Sequence, residues 1–283
     1  MKKIIFFKRT IFWLTLFMFY ISVFPVLGYS KSDPEFESKI VLAKIEKIKA
    51  SGKLVVGTSA DYPPYEFHLL NDKEQDIVGL DIDIAHEIAK ELGVKLVLKN
   101  IVFHNLFPAL NSDQVDIVAS GLCPSARWRK IVDFSENYYQ AIQNILIRCE
   151  DAEKIFCIKD LRGKKVGTRK DSIQEEIVKR EILGAEFIVR ETIDELIADL
   201  KSGQIDAVIL EKTVAESIFH RNKDLKNIVC RPGAFDSPLV AAIAVKKGND
   251  DLLKEINRII KKLKQENKIV YYIENTKILM NKW

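Results

Sequence analysis

The sequence predicts an α/β protein of two Rossmann-like lobes joined by two hinge strands. Leu110-Asn-Ser-Asp-Gln-Val-Asp-Ile-Val118 returns as Leu200-Lys-Ser-Gly-Gln-Ile-Asp-Ala-Val208. Each copy reads as a helix end, a tight turn and a strand opening on an Asp. The segments in front of the copies also match in type: an apolar run (Val94 to Val102; Phe187 to Val189) leads into a helical pattern (Leu106 to Leu110; Ile193 to Leu200). Two copies are too few for a solenoid. One β-α-turn-β unit used twice therefore means paired lobes, and a cleft between them is a place to hold a small molecule.

The elements follow in order. Phe36 to Ala50 has helical apolar spacing (Ile40, Leu42, Ile45, Ile48), closed by Ser51-Gly52. Lys53 to Thr58 reads as a short strand, and Asp61-Tyr-Pro-Pro-Tyr65 as a loop. Gly79-Leu-Asp81 opens a helix that Asp81 can cap; Ile82, Ile84, Ala85, Ile88, Ala89 and Leu92 line one face, and Gly93 stops it. Val94 to Leu98 is the next strand, followed by the first repeat. Asn144 to Arg148 reads as the first crossing into the second lobe. Ile158 to Lys165 gives a turn and Val166-Gly-Thr168 a strand. Ser172 with Glu175 and Thr192 with Glu195 carry capping-box spacing at two helix starts. Val240 to Lys246 carries the chain back, and a charged amphipathic helix (Asp250 to Gln265) and a last helix toward Trp283 complete it. The expected division is 53–141 plus 246–283 for lobe 1 and 142–245 for lobe 2, with an N-terminal helix within 29–52 packed on lobe 1. Asp116 and Asp206 are assigned to hydrogen bonds between turn and strand.

The chain has 283 residues, 47% apolar and 30% charged, which suits one large or two small globular domains. The formal charge of +4 sits entirely in residues 1–28, where Lys2, Lys3, Lys8 and Arg9 face no acid. The balanced remainder gives no reason to expect nucleic-acid or membrane-surface binding. Residues 1–28 read as a cleavable export signal: a basic start, an apolar run from Ile11 to about Val23, then Pro25 and small residues at Gly28 and Ser30. The competing reading is an uncleaved anchor, since Ile11 to Leu27 is nearly long enough to span a bilayer. No Cys lies near residues 20–35 to carry a lipid anchor. The exported part holds Cys123, Cys149, Cys157 and Cys230, which allow three pairings or free thiols. No Cys-x-x-Cys, metal-ligand cluster, P-loop or Gly-x-Ser-x-Gly appears, and the four His are scattered.

In order and spacing, several segments together resemble the bacterial extracellular solute-binding proteins of family 3. They are Gly52-Lys-Leu-Val-Val-Gly57, Tyr62-Pro-Pro-Tyr65, Gly79-Leu-Asp-Ile-Asp83, Val132-Asp-Phe-Ser135, Leu161-Arg-Gly-Lys-Lys-Val-Gly167, both repeats and Ala244-Val-Lys-Lys-Gly248. The resemblance covers nearly all of residues 50–265. It implies a fold of the periplasmic binding protein type II kind and a receptor that delivers an amino acid or similar polar solute to an ABC permease. The protein would act as a monomer, outside the cytoplasm, without a cofactor.

The resemblance also implies site residues. Tyr62 and Phe103 fall where rings sandwich the ligand's side chain. Ser120, Gly121 and Cys123 fall where backbone N–H groups and a hydroxyl hold its carboxylate, and Ser172 where a helix start reaches that group from lobe 2. Glu211 stands where the family usually has an Asp for the α-ammonium. Ser59 holds a position where receptors for basic amino acids often place an Asp, which argues mildly against a Lys- or Arg-like ligand. Three residues depart from the pattern. Trp128 occupies the position of the carboxylate-binding Arg, leaving flanking Arg127 as its candidate replacement. Cys123 stands in for a hydroxyl, and Asp171 replaces a Gly. An alternative is an enzyme on the same fold, a dehydratase of cyclic amino-acid precursors, which would need an acid–base pair in the cleft.

Overall fold

A computed structural model describes residues 43–69, 76–229 and 239–280. The export segment, the part of the first helix before Ala43 and Cys230 lie outside these residues. Helix α1 (Ala43–Ser51) leads into strand β1 (Lys53–Thr58). Strands β2 (Asp61–Tyr62), β3 (Glu66–His68) and β4 (Ile77–Val78) form a small antiparallel sheet. The Tyr62-Pro-Pro-Tyr65 segment is thus the turn of a hairpin and not the plain loop its prolines suggested. Both Pro stand in the turn, closed by Tyr65 N–H to Tyr62 O at 2.9 Å, while Asp61 and Tyr62 pair with Phe67 and Glu66.

The first lobe continues through helix α2 (Leu80–Leu92), strand β5 (Lys95–Asn100), helix α3 (Leu106–Asn111), strand β6 (Ile117–Val118) and strand β7 (Val132–Phe134). Its sheet has the order β5-β1-β6-β15-β7, where β15 is Ala244–Lys246 from near the far end of the chain. Parallel β1 and β6 are apolar and largely buried, as strands inside a covered sheet must be, while β5 at the edge (Lys95–Asn100) keeps polar residues at both ends and is only partly buried. Helix α2 packs on them through Ile84, Ala85, Ile88 and Leu92 and ends at Gly93, which adopts the left-handed conformation. Its N-cap is Gly79, not Asp81; Asp81 lies within the first turn with its carboxylate turned inward.

The second lobe repeats the plan. Strands β9 (Gln143–Arg148), β10 (Lys165–Arg169), β11 (Glu186–Arg190), β12 (Ala207–Glu211) and β13 (Leu225–Ile228) take the order β11-β10-β12-β9-β13. Helices α4 (Ile173–Glu181), α5 (Ile193–Ser202) and α6 (Lys212–Arg221) connect and cover them. Ser172 and Thr192 cap α4 and α5, accepting from the N–H of Glu175 and Glu195.

The repeat extends to single bonds. Asp116 Oδ2 accepts from Val55 N–H at 2.8 Å, and Asp206 Oδ2 accepts from Lys165 N–H at 2.8 Å. Each Asp pins the start of its lobe's first strand to the turn before the third, the role that the sequence assigned to it. Gly57 lies against Leu106 and Val115, and Gly167 against Leu196 and Ile205, so each strand gives up a side chain to the same neighbours.

Two strands, β8 (Tyr139–Ala141) and β14 (Leu239–Ala241), pair antiparallel between the lobes. They form the crossing. Strand β9, expected to be the outward crossing, lies in the second sheet. The expected return strand is split as well: β14 crosses, and β15 already belongs to the first sheet, pairing with β6 and β7. Helix α7 (Asp250–Gln265) buries Leu252, Ile256, Ile259, Ile260 and Leu263 on lobe 1, and helix α8 (Lys268–Met280) follows it.

Candidate functional site

The carboxyl-terminal ends of β1 and β10 face each other, the usual place for a ligand in parallel α/β sheets. Tyr62 stands at the centre. Its ring stacks on Tyr65 with centroids 5.9 Å apart. The backbone of Gly121, at φ 53°, lies against both rings: a Cβ there would come within 2.9 Å of the Tyr62 ring and 3.5 Å of the Tyr65 ring. Only Gly fits this approach.

Two small spaces flank this ring. Tyr62, Tyr65, Gly121, Cys123, Gln143 and Glu211 contribute to one. Tyr62, Phe103, Gly121, Cys123, Trp128 and Arg169 contribute to the other. Each has a volume of about 20 Å³, room for about one water. Tyr62, Phe103, Gly121, Cys123 and Glu211, predicted as a constellation from distant parts of the sequence, thus share one locale with both lobes contributing.

The hydroxyl groups are engaged inside the protein. Ser120 Oγ accepts from Ser59 N–H at 3.0 Å and donates to Glu66 Oε1 at 2.8 Å. Ser59 Oγ donates to Asp61 at 3.2 Å. Ser172 Oγ accepts from Glu175 N–H and donates to Arg169 O at 2.6 Å. The three hydroxyls therefore shape the walls, and neither small space takes its lining from them.

Glu211 ends β12 and caps α6. It is 4% exposed and accepts from Thr213 Oγ1 at 2.6 Å and Thr213 N–H at 3.3 Å. Burial pushes its carboxyl up to about 7, against the pull of the Thr213 hydrogen bonds. Asp81, beneath Gly121, is likewise held at about 7 by burial, although it accepts from Tyr138 Oη at 2.6 Å and Gly121 N–H at 2.8 Å. Glu66 is raised well above the usual range, by burial first and by Asp81 next. Burial also raises the Cys123 thiol, which is free, as are Cys149 and Cys157.

Arg127, the candidate replacement for the missing Arg, meets Asp171, the residue that stands where a Gly was expected. Arg127 reaches out of lobe 1 and donates to Asp171 of lobe 2 at 2.8 Å, its guanidinium lying 4.3 Å from the centre of the Trp128 ring. Trp128 in turn packs on Phe107 inside lobe 1, with centroids 4.6 Å apart. Ser125 Oγ donates to Glu176 across the same mouth at 2.9 Å.

Several residues escaped the sequence reading. Arg169 places its guanidinium 4.5 Å from the Tyr62 ring centre and 3.9 Å from that of Phe103. Its Nη1 donates to Asp61 Oδ1 at 2.7 Å, and Asp61 Oδ2 accepts from Ile193 N–H at the start of α5 at 3.2 Å. Gln174 donates to Tyr62 Oη at 3.3 Å and to Gln143 Oε1 at 3.0 Å. One signal was available. The tripeptide Val-Gly-Thr occurs at 56–58 and at 166–168, so Ser59 and Arg169 hold equivalent positions in the two lobes.

Comparison with known proteins matches this geometry to a family. The model of the bacterial extracellular solute-binding proteins, family 3, matches residues 54–274. The arginine-binding extracellular protein ArtP of Bacillus subtilis is 38% identical over 222 residues, 77% of this chain and 83% of that protein. The L-cystine-binding protein TcyJ of Escherichia coli is 28% identical over 222 residues, 78% of this chain and 81% of that protein. Among solved structures, the amino acid ABC transporter substrate-binding protein AbpA of Streptococcus pneumoniae, bound to L-arginine, superposes with a TM-score of 0.79. It is 35% identical and covers 83% of this chain and 98% of its own. The chain belongs to the bacterial extracellular solute-binding proteins, family 3.

Proposed function

We propose that this protein is the extracytoplasmic receptor of an amino-acid ABC importer, exported through residues 1–28, monomeric, and docking on its permease once the lobes have closed on a solute. The reading rests first on Glu211. A carboxylate this deeply buried is costly unless a cation meets it, and the α-ammonium group of an amino acid supplies one. Tyr62, Gly121 and Cys123 line the same small space as Glu211; it has room for about one water, so the lobes must part to admit a short zwitterion and close again around it. Phe103 and Arg127 bound the outer side, while Ser59, Ser120 and Ser172 support it from behind through the bonds described above. The relatives are named for binding arginine and cystine and not for turnover, in line with a receptor rather than a dehydratase.

The test is calorimetric titration of ligand-stripped protein with the common L-amino acids, repeated with Glu211→Gln. One or a few amino acids should bind, and the variant should weaken them at least about tenfold by losing a charge-assisted contact. Unchanged affinity in Glu211→Gln would remove the carboxylate from the site.

A further inference from the structure

Taking the receptor reading as given, we propose that Arg169 acts as a built-in occupant of the aromatic clamp, which excludes arginine and lysine and selects an amino acid whose side chain ends in a hydrogen-bond acceptor. Between the Tyr62 and Phe103 rings, with Asp61 at its tip, lies what a cationic side chain seeks: two π-faces and a carboxylate. The chain's own guanidinium fills that place, 4.5 Å and 3.9 Å from the ring centres and 2.7 Å from Asp61. It is 4% exposed.

Arg169 is held there by its backbone. It is the last residue of β10, paired in register with Arg190 of β11, and its carbonyl accepts from Ser172 Oγ at 2.6 Å. Lys170 N–H donates to Arg190 O at 2.8 Å just beyond it. Only a rotation of the side chain away from Asp61 would vacate the clamp. A second guanidinium or ammonium arriving beside a retained Arg169 would meet a like charge at short range in a poorly solvated place.

The unpartnered groups point to what enters instead. Arg169 Nε and Gln143 Nε2 are buried N–H donors without a hydrogen-bond partner. Gln143 is 3% exposed, and its Oε1 is already taken by Gln174. Buried donors left open call for an acceptor. An amide or carboxylate oxygen on the ligand's side chain satisfies such donors, whereas an ammonium or guanidinium, which only donates, does not.

The experiment is titration of ligand-stripped wild type and of Arg169→Met with L-glutamine, L-asparagine, L-glutamate, L-arginine and L-lysine. Arg169→Met keeps the length and apolar stem, and thermal unfolding beforehand shows whether it folds. Wild type should bind at least one of the amide or carboxylate amino acids 100-fold or more tighter than arginine. Arg169→Met should weaken that ligand at least tenfold and strengthen arginine at least tenfold, because Asp61 and both rings become free. Wild type binding arginine as tightly as any other amino acid would overturn the inference while leaving the receptor reading intact. If wild type binds none of the five, a gain of arginine binding in Arg169→Met still supports the occupied clamp, and no gain overturns it. The Glu211→Gln titration then judges the receptor reading separately.

Discussion

The two lobes are the same device up to the last residue of one strand. Asp116 holds Val55 as Asp206 holds Lys165, at 2.8 Å in both. Val56-Gly-Thr58 and Val166-Gly-Thr168 occupy matching places, each with its Gly wedged against a Leu and a β-branched residue. One position later they part. Lobe 1 has Ser59, whose hydroxyl only reaches Asp61; lobe 2 has Arg169, which crosses the cleft to the same Asp61. The scaffold repeats because its strands need the same turns and packing, and the copies part at Ser59 and Arg169, where that shared packing ends.

The sharpest way to break that comparison is to remove Asp61. Asp61→Ala strands Arg169 as a buried charge and leaves Ile193 N–H without its acceptor. The loss expected from breaking a buried pair is about 3–5 kcal/mol, a fall of roughly 6–20 °C in unfolding midpoint for a chain of this size. Adding Arg169→Met to Asp61→Ala should recover much of it, which a double-mutant cycle reads directly. Ser59→Ala, at the equivalent place in lobe 1, should stay within about 1 kcal/mol of wild type. Equal losses for Ser59 and Asp61 would erase the distinction between the lobes.

Glu211 gives the next largest effect, and its sign is specific. A carboxyl raised from 4.5 to about 7 binds a proton in the folded state that the unfolded chain has already released. Its contribution to stability therefore falls as pH rises from about 4.5 to 7 and levels off above 7. Across that window wild type should lose about 2–3 kcal/mol on account of Glu211, with Asp81, also held at about 7, acting in the same direction. Glu211→Gln should flatten the profile of unfolding midpoint against pH. An unaltered slope in that variant would mean that Glu211 is already ionised in the folded protein.

The smallest effects sharpen the symmetric half of the comparison. Asp116→Ala and Asp206→Ala each leave one strand N–H without its acceptor and take one carboxylate from a cation, Lys44 at 2.8 Å and Arg148 at 3.5 Å, at a cost of about 1–3 kcal/mol. The two losses, read from denaturant midpoints, should agree closely. A large inequality would show that the repeat is one of shape and not of energetics.

The sequence made the scaffold legible and part of the site invisible, for physical reasons. Periodicity and repeated turns mark elements whose partners are near in sequence: Gly93 closing α2, Ser172 and Thr192 capping α4 and α5, and helix α7 were all readable. Expectations missed where the partner is remote. Asp81 looks like an N-cap until Tyr138 and Gly121 claim its oxygens. Residues 240–246 read as one strand because nothing local marks the passage from β14 to β15. Tyr62 and Glu211 came from family resemblance, yet Arg169 needed the fold, since only the sheets bring it between Tyr62 and Phe103. Trp128 and Asp171 looked like separate anomalies, and the Arg127–Asp171 pair across the mouth joins them.

The central claim, that both lobes together hold an amino acid, is tested most directly by thermal unfolding of ligand-stripped protein against each common amino acid. Because a ligand that binds only the folded state adds about 2.7 kcal/mol at 100 times its dissociation constant, one or a few amino acids should raise the midpoint by roughly 5–10 °C. No shift with any amino acid at millimolar concentration would contradict the account.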